Sequence, residues 1–498
     1  MGSGYFKALD RFPKDTPITF GLNLAYEGSD SNDTITRMAQ AAVDNLQNVK
    51  LYSFEVGNEP DLWLENGFRS GAWDGQTYTQ QFLERAETVY DNVLKPAGMA
   101  SMFFEPPATA STIGTTFEIA MLVKDGLTTA VNGINLVSCW NQHDYFYYIG
   151  VSTYGITLDQ LMNLDKTNEQ FAYWEEQVNI SRSTKLPYVL REMASVGPIG
   201  MHEVSDTFGA ALWTLNFFLY TASIGISSVQ MHMTQNSNAS AWQPIEQYGN
   251  DPFVRPQYYA HAAMAQIIGN GNGTTQVASM NTDNVAADHK GYIRAYNVYA
   301  NGALQSMVLI NSKQANSSES NKASFTFEVN FGSSNGNKDI YLSYLTADGA
   351  DSLSGTTFNG MTFSDSDGKA SQVDNTVNKL TTSSSGKVSI PVRDTQAVVA
   401  NVGWLLGSNA VLNNGTATSS RKSSDGQSRT SGANTATITG AVTTALSVAA
   451  SLTGGSGNAD ETGTPRTSGE AEVPGRSKIL WALGVSLIAV TIGFVILA

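Results

Sequence analysis

The sequence has one cysteine, Cys139, in 498 residues. No intrachain disulfide can form, and paired-thiol redox chemistry and cysteine-rich zinc sites are excluded with it. Histidine is also scarce, with five residues, which leaves little room for a His-built metal site. Basic residues are outnumbered, 29 Lys and Arg against 44 Asp and Glu, for a net charge of −15. That balance argues against nucleic acid or an anionic membrane surface as a partner. Several chemical signatures are absent. There is no G-x-S-x-G nucleophile elbow and no H-E-x-x-H pair. The glycine-rich stretch at residues 269–273 lacks the strand-turn-helix setting and the Lys-Ser/Thr of a phosphate loop. Residues 1–15 contain no apolar run of a secretory signal, and Phe6 breaks the myristoylation pattern.

What is present is enough to build a large core. Apolar residues make up 41% of the chain and aromatics 10%. Three compositions follow one another. Over residues 1–270, β-branched and aromatic runs alternate with helical patterns, which predicts βα units around a parallel sheet. The expected strands are residues 19–25, 51–56, 101–104, 135–140, 188–192 and 227–232. Helical patterns lie at residues 33–45, 77–93, 205–223 and 256–268, the third with Ser205 as its N-cap. Residues 271–404 change to short alternating runs between Gly, Asn, Ser and Asp turns, which predicts an antiparallel β-sandwich. Residues 405–478 hold no Phe, Tyr or Trp and are rich in Ser, Thr, Gly and Ala. Such a segment buries too little apolar surface to offset its ordering entropy, so it reads as a disordered linker. Residues 479–498 are an uncharged run long enough for one membrane span.

Two strand ends carry the chemistry. In Gly57-Asn58-Glu59-Pro60 an apolar strand stops at Pro60, with Glu59 at the strand's C-terminal end. That end of a βα barrel holds the active site. Glu192 closes a second apolar strand 133 residues later, a spacing that fits three βα units of roughly 40–45 residues each. Both carboxyls then face one barrel mouth. Two facing carboxyls suit glycoside hydrolysis, one protonating the leaving oxygen and the other attacking the anomeric carbon or activating water. A strand-terminal Glu in a salt bridge is the plain alternative. Asn58 is placed to bind a substrate hydroxyl. His143 and Tyr145 follow another strand end and would hold the nucleophile, unless they are core residues. His232 follows the last strand as a binding candidate. Trp242 and Tyr248 offer a sugar-stacking platform. Glu105 is a rival carboxylate without a polar partner before it, and Trp213 reads as core.

At these residues the sequence resembles glycoside hydrolase family 79, the fungal β-glucuronidase and heparanase family. The stretches ITFGLNLAY, FEVGNEPDLW, SCWNQHDYF, LREMASVG and SSVQMHMTQNSNASAWQP carry the resemblance, which spans about residues 4–404. It implies a retaining mechanism with Glu59 as acid/base and Glu192 as nucleophile, Asn58 near the sugar 2-hydroxyl and Tyr145 supporting the nucleophile. It also implies an eight-stranded barrel and no metal or organic cofactor. Only six strands are legible here, so the expectation is a (β/α)8-type domain lacking its first two βα units, with exposed sheet edges.

The implied substrate is a glucuronic-acid-containing polysaccharide or glycoside. A glucosidase or galactosidase would carry the same two glutamates. A non-catalytic, surface-anchored carbohydrate-binding protein and a structural surface protein are the rival readings from other classes. Six Asn-x-Ser/Thr sequons, at Asn32, Asn179, Asn238, Asn272, Asn316 and Asn414, permit secretion. With a secreted-type glycosidase before it, the tail at residues 479–498 reads as a GPI-attachment signal or a C-terminal membrane anchor, with Gly469 as a candidate attachment site. Arg476 and Lys478 beside the tail point the other way, to a cytosolic body. The expected location is the cell surface or the extracellular space.

Overall fold

The computed structural model describes residues 3–407, apart from residues 111–113, 151, 153–154, 235, 270–272 and 283–284. Residues 408–498 lie outside it, and with them nearly all of the expected linker and the whole apolar tail. Among the described residues no helix is long and apolar enough to cross a membrane.

The first part of the chain is a curved parallel sheet flanked by helices. Its strands are β1 (Pro17–Leu22), β2 (Lys50–Val56), β3 (Pro107–Thr109), β4 (Trp140–Tyr148), β5 (Tyr188–Gly197) and β6 (Ser228–Met231). β1 pairs with β2, and β3-β4-β5-β6 pair in sequence order. Single bridges at Phe54, Phe104 and Val137 join the two sets. Two expected strands therefore sit later in the chain. Residues 101–104 and 135–140 contribute bridges, and regular pairing begins after Pro106 and at Trp140. β5 also runs five residues past Glu192. Among the described residues, β1 and β6 each have one strand neighbour in this sheet.

The helices are α1 (Ser3–Leu9), α2 (Ser31–Asn45), α3 (Gly75–Val89), α4 (Ile119–Lys124), α5 (Leu158–Met162), α6 (Leu164–Ser183), α7 (Phe208–Ile224) and α8 (Pro256–Gly269). The α7 N-cap is Thr207, whose hydroxyl accepts from the Ala210 amide, rather than the expected Ser205. Ser205 is taken by the preceding turn, where its hydroxyl accepts from the Met201 amide. α7 is apolar on every side because it is covered on every side. Trp213 and Phe217 stack at 5.3 Å toward α6, which confirms Trp213 as core. Beside them, Asn216 accepts from the Tyr296 hydroxyl of the β domain at 2.7 Å.

The hairpin β7 (Trp242–Gln243) and β8 (Phe253–Val254) follows β6. The β domain then contains β9 (Gln276–Ser279), β10 (Ile293–Ala300), β11 (Ala303–Asn311), β12 (Ser324–Asn330) and β13 (Asp339–Thr346). It continues with β14 (Thr357–Phe358), β15 (Met361–Phe363), β16 (Ala370–Gln372), β17 (Asn378–Thr381), β18 (Lys387–Arg393) and β19 (Gln396–Val402). All pair antiparallel, as their alternating sequence implies. One large sheet runs β16-β15-β14-β13-β19-β11-β10-β9, with β17 also on β13, and β12 with β18 forms the small facing sheet. The side chains alternate accordingly. Met307, Leu309 and Val398 face Phe327 and Ile390 in an inner core. Val308, Ile310 and Val399 join the core shared with the helices. The β domain thereby supports α7 and α8, and through them the strands that carry the site.

Candidate active site

The C-terminal strand ends meet around one cluster of polar side chains. Along β4, residues 141, 143 and 145 share the inner face by strand alternation. Asp144 and Phe146 point outward, where Trp174 donates to Asp144 at 2.9 Å and Phe146 packs on Phe171 and Trp213. β5 breaks alternation. Its register against both neighbours shifts between Leu190 and Met193, so it carries one residue more than either. This bulge lets consecutive residues Arg191 and Glu192 both reach inner-face partners. His143 and Glu192 are register partners across the same irregularity.

The lower layer is structural. Glu105 is fully buried and receives Arg191 through Nε at 2.6 Å and Nη2 at 2.8 Å. Arg191 also donates to Ser228 at 2.8 Å. The rival carboxylate is therefore closed off in a bidentate ion pair.

The upper layer brings the two expected glutamates together. Oxygens of Glu59 and Glu192 and a ring nitrogen of His143 all lie within 4.8 Å of one another. His143 Nδ1 stands 3.2 Å from Glu59 Oε1 and 3.9 Å from Glu192 Oε2. The Tyr145 hydroxyl donates to Glu192 Oε1 at 2.5 Å and lies 2.7 Å from His232 Nδ1. With its proton committed to the carboxylate, Tyr145 accepts at its oxygen, which assigns the His232 proton to Nδ1. His232 is held in turn by its amide, which donates to the Met193 carbonyl at 2.7 Å.

Electrostatics separate the roles. Burial resists ionisation of Glu192, but His143, His232 and the Tyr145 phenol outweigh it and hold the carboxyl below its ordinary range. Burial, then Glu192, drive the Tyr145 phenol far up, so it stays a donor. Burial disfavours a charged His143. Glu192, Glu55 and Glu59 together overcome that and push the imidazole well above its ordinary range.

Glu59 sits in a left-handed conformation at φ 48°, which a side chain adopts at some cost. The loop is built to hold it. The Glu59 amide donates to the Ala108 carbonyl at 2.8 Å. Trp63 Nε1 donates to the Asn58 carbonyl at 2.8 Å and Trp73 Nε1 to the Pro60 carbonyl at 2.7 Å. The two indoles stack at 5.2 Å, and the Arg69 guanidinium lies 4.6 Å and 4.8 Å from their centres.

The structure thus unites Glu59, Glu192, His143, Tyr145 and His232. Asn58 is exposed beside Glu59. Trp242 lies in the β7–β8 hairpin. The hairpin turns its ring edge-on to Tyr258 at 6.2 Å, and Tyr258 packs on Phe363 of the β domain. Tyr248 lies exposed in the turn of that hairpin. Sequence reasoning missed Glu55, Asn141 and Tyr148. Asn141 donates to Glu55 at 2.6 Å. Burial first, then Glu59 and Glu192, raise the Tyr148 phenol. The signal for Glu55 was a charged residue between Phe54 and Val56 of an apolar run, and for Asn141 the polar run Asn141–Asp144 at the start of β4.

Glu59, His143 and Glu192 are the one group among the described residues whose donors sit close enough to share a cation. A histidine ligand must be neutral. The three surrounding carboxylates favour a proton on His143.

Residues 295–399 match the family described as "Glycosyl hydrolase family 79 C-terminal beta domain". A beta-glucuronidase of Aspergillus niger is 27% identical over 388 residues, covering 73% of this chain and 68% of that protein. A beta-glucuronidase of Neurospora crassa is 25% identical over 401 residues, covering 73% and 70%. Among solved structures, a 4-O-alpha-L-rhamnosyl-beta-D-glucuronidase from Fusarium oxysporum superposes with a TM-score of 0.64 at 18% identity, covering 80% of this chain and 79% of that one. That likeness is one of fold: a TIM-barrel-type domain followed by a β domain.

Proposed function

We propose that this relative of glycosyl hydrolase family 79 is a retaining O-glycosyl hydrolase that acts on terminal glucuronic acid. The observation that carries the reading is the approach of Glu59 and Glu192 to within 4.8 Å at their nearest oxygens. Retaining enzymes keep their carboxyls about 5–5.5 Å apart, and inverting enzymes leave about 6.5–9.5 Å for a water. The relatives named beta-glucuronidase support the choice of sugar.

Glu192 is the nucleophile in this reading. Its carboxyl is kept ionised, and Tyr145 fixes Oε1, which leaves Oε2 to attack the anomeric carbon. Glu59 protonates the leaving oxygen, then draws a proton from the water that hydrolyses the glycosyl-enzyme. The two indole clamps keep its loop in one position through both steps. Asn58 is the candidate contact for a sugar hydroxyl. We place the substrate on extracellular or cell-surface glycan, a reading that rests on the sequons and the Ser/Thr-rich segment, and fractionation of the native protein tests it.

The test is turnover of 4-nitrophenyl β-glucuronide by the full chain, with the product anomer followed by proton NMR. The expected first product is the β anomer, with activity lost in Glu192→Gln. A first-formed α anomer, or equal rates for wild type and Glu192→Gln, would overturn the mechanism.

A further inference from the structure

A third carboxylate sits behind the pair. Glu55 lies on β2, four residues before Glu59, and shares the inner face with Ser53. It is largely enclosed, with 16% of its side chain exposed. Asn141 donates to its Oε2 at 2.6 Å. The same oxygen stands 3.7 Å from His143 Nε2, a buried nitrogen that makes no hydrogen bond among the described residues. His143 therefore bridges two carboxylates, with Glu55 behind Nε2 and Glu59 in front of Nδ1 at 3.2 Å.

We propose that Glu55 is a positioning residue for the acid/base, fixed by Asn141 and acting on Glu59 through the His143 ring. The inference rests on the reading of Glu59 as acid/base. An imidazole with one carboxylate on each side is oriented by both. The charge of Glu55 favours a ring protonated at both nitrogens. A ring so protonated donates from Nδ1 to Glu59 and holds that carboxyl in one orientation. Other groups also face this ring and its partners. Glu192 from β5 is negative, His232 from β6 is a second imidazole, and Tyr145 and Tyr148 from β4 are phenols kept neutral. Tyr78 from α3 faces Glu55 and Asp61 and is also held neutral, chiefly by burial. None of these supplies a negative charge on the Nε2 side of His143, so Glu55 has no substitute there. Arg191 is committed to Glu105 one layer below.

The experiment compares wild type, Glu55→Gln and Glu55→Asp as full chains. Gln keeps an oxygen for Asn141 and removes the charge. In Glu55→Gln kcat is expected to fall while KM stays close to wild type. Alkyl glucuronides, which need acid assistance, should slow by roughly tenfold, while the 4-nitrophenyl glucuronide slows much less. Glu55→Asp should recover part of both effects. A purely structural Glu55 would slow both substrates alike, which overturns the proposal.

A second measurement does not depend on turnover. The ring nitrogens of His143 are titrated by NMR, assigned with His143→Asn, in wild type and in Glu55→Gln. The expected midpoint is lower in Glu55→Gln, and an unchanged midpoint overturns the proposal. If Glu55→Gln does not fold, Asn141→Leu releases Glu55 and is read the same way. A wild type that turns over no glucuronide would refute the functional reading, while the titration would still decide the link between Glu55 and His143.

Discussion

The Tyr145 hydroxyl donates to Glu192 Oε1 at 2.5 Å while its oxygen lies 2.7 Å from His232 Nδ1. One phenol thereby fixes the nucleophile's carboxylate and ties it to β6. A hydrogen bond to a charged group contributes about 1.5–3 kcal/mol, roughly a 10- to 100-fold effect on a rate that depends on it. Tyr145→Phe should lower kcat by about that factor. It also removes a group that holds the Glu192 carboxyl down, so the acid limb of the pH profile should move up. Steady-state kinetics across pH checks both, and an unmoved acid limb would separate Tyr145 from the nucleophile.

Gly197 is where β5 passes the two tyrosines. A Cβ there would stand 2.7 Å from Tyr145 Cδ1 and 2.7 Å from Tyr148 Cδ2, closer than real contacts allow. Gly197→Ala should displace the Tyr145 ring and reproduce part of the Tyr145→Phe defect. The double variant should be no slower than Tyr145→Phe alone, because both act through one hydrogen bond. Kinetics of the two singles and the double decide it, and fully additive losses would refute the shared route.

The Glu105–Arg191 pair is buried and bidentate. Removing one partner strands the other charge, which costs about 3–5 kcal/mol. Glu105→Gln should therefore lower the urea midpoint strongly, while whatever folds keeps the wild-type pH profile. A shifted pH profile at unchanged stability would instead make Glu105 part of the chemistry.

Asp144 lies on the outer face of β4 beneath α6. Burial pushes its carboxyl up to about 7, partly offset by the Trp174 indole donor. Its pKa in the folded chain is above its value in the unfolded chain. The stability it contributes is full below the unfolded value, near 3.8, and is lost as pH rises through about 7. Asp144→Asn keeps an oxygen for Trp174 and cannot ionise. Its stability advantage over wild type should grow between pH 4 and pH 8, by on the order of 2–4 kcal/mol. Unfolding free energies at the two pH values check this, and a constant difference would refute it.

The sequence by itself determined the two architectures and the acidic pair. Parallel β runs between helices and alternating β runs with polar turns have different periods, and local pattern carries that difference. Glu59 and Glu192 were legible because each closes an apolar run that reads as a strand, although β5 continues to Gly197. Tertiary structure decided which polar residues meet. Glu55 lies 88 residues from His143 in the chain, and only the curvature of the sheet sets it behind that ring. The bulge in β5 broke the alternation that would have sent Arg191 and Glu192 to opposite faces, and no residue type in LREMAS announces it. For Trp242, type and position suited a sugar platform, and the hairpin register sets its ring edge-on to Tyr258. Period and strand ends are local properties of the chain. Bulges, register and curvature are settled by packing between distant segments.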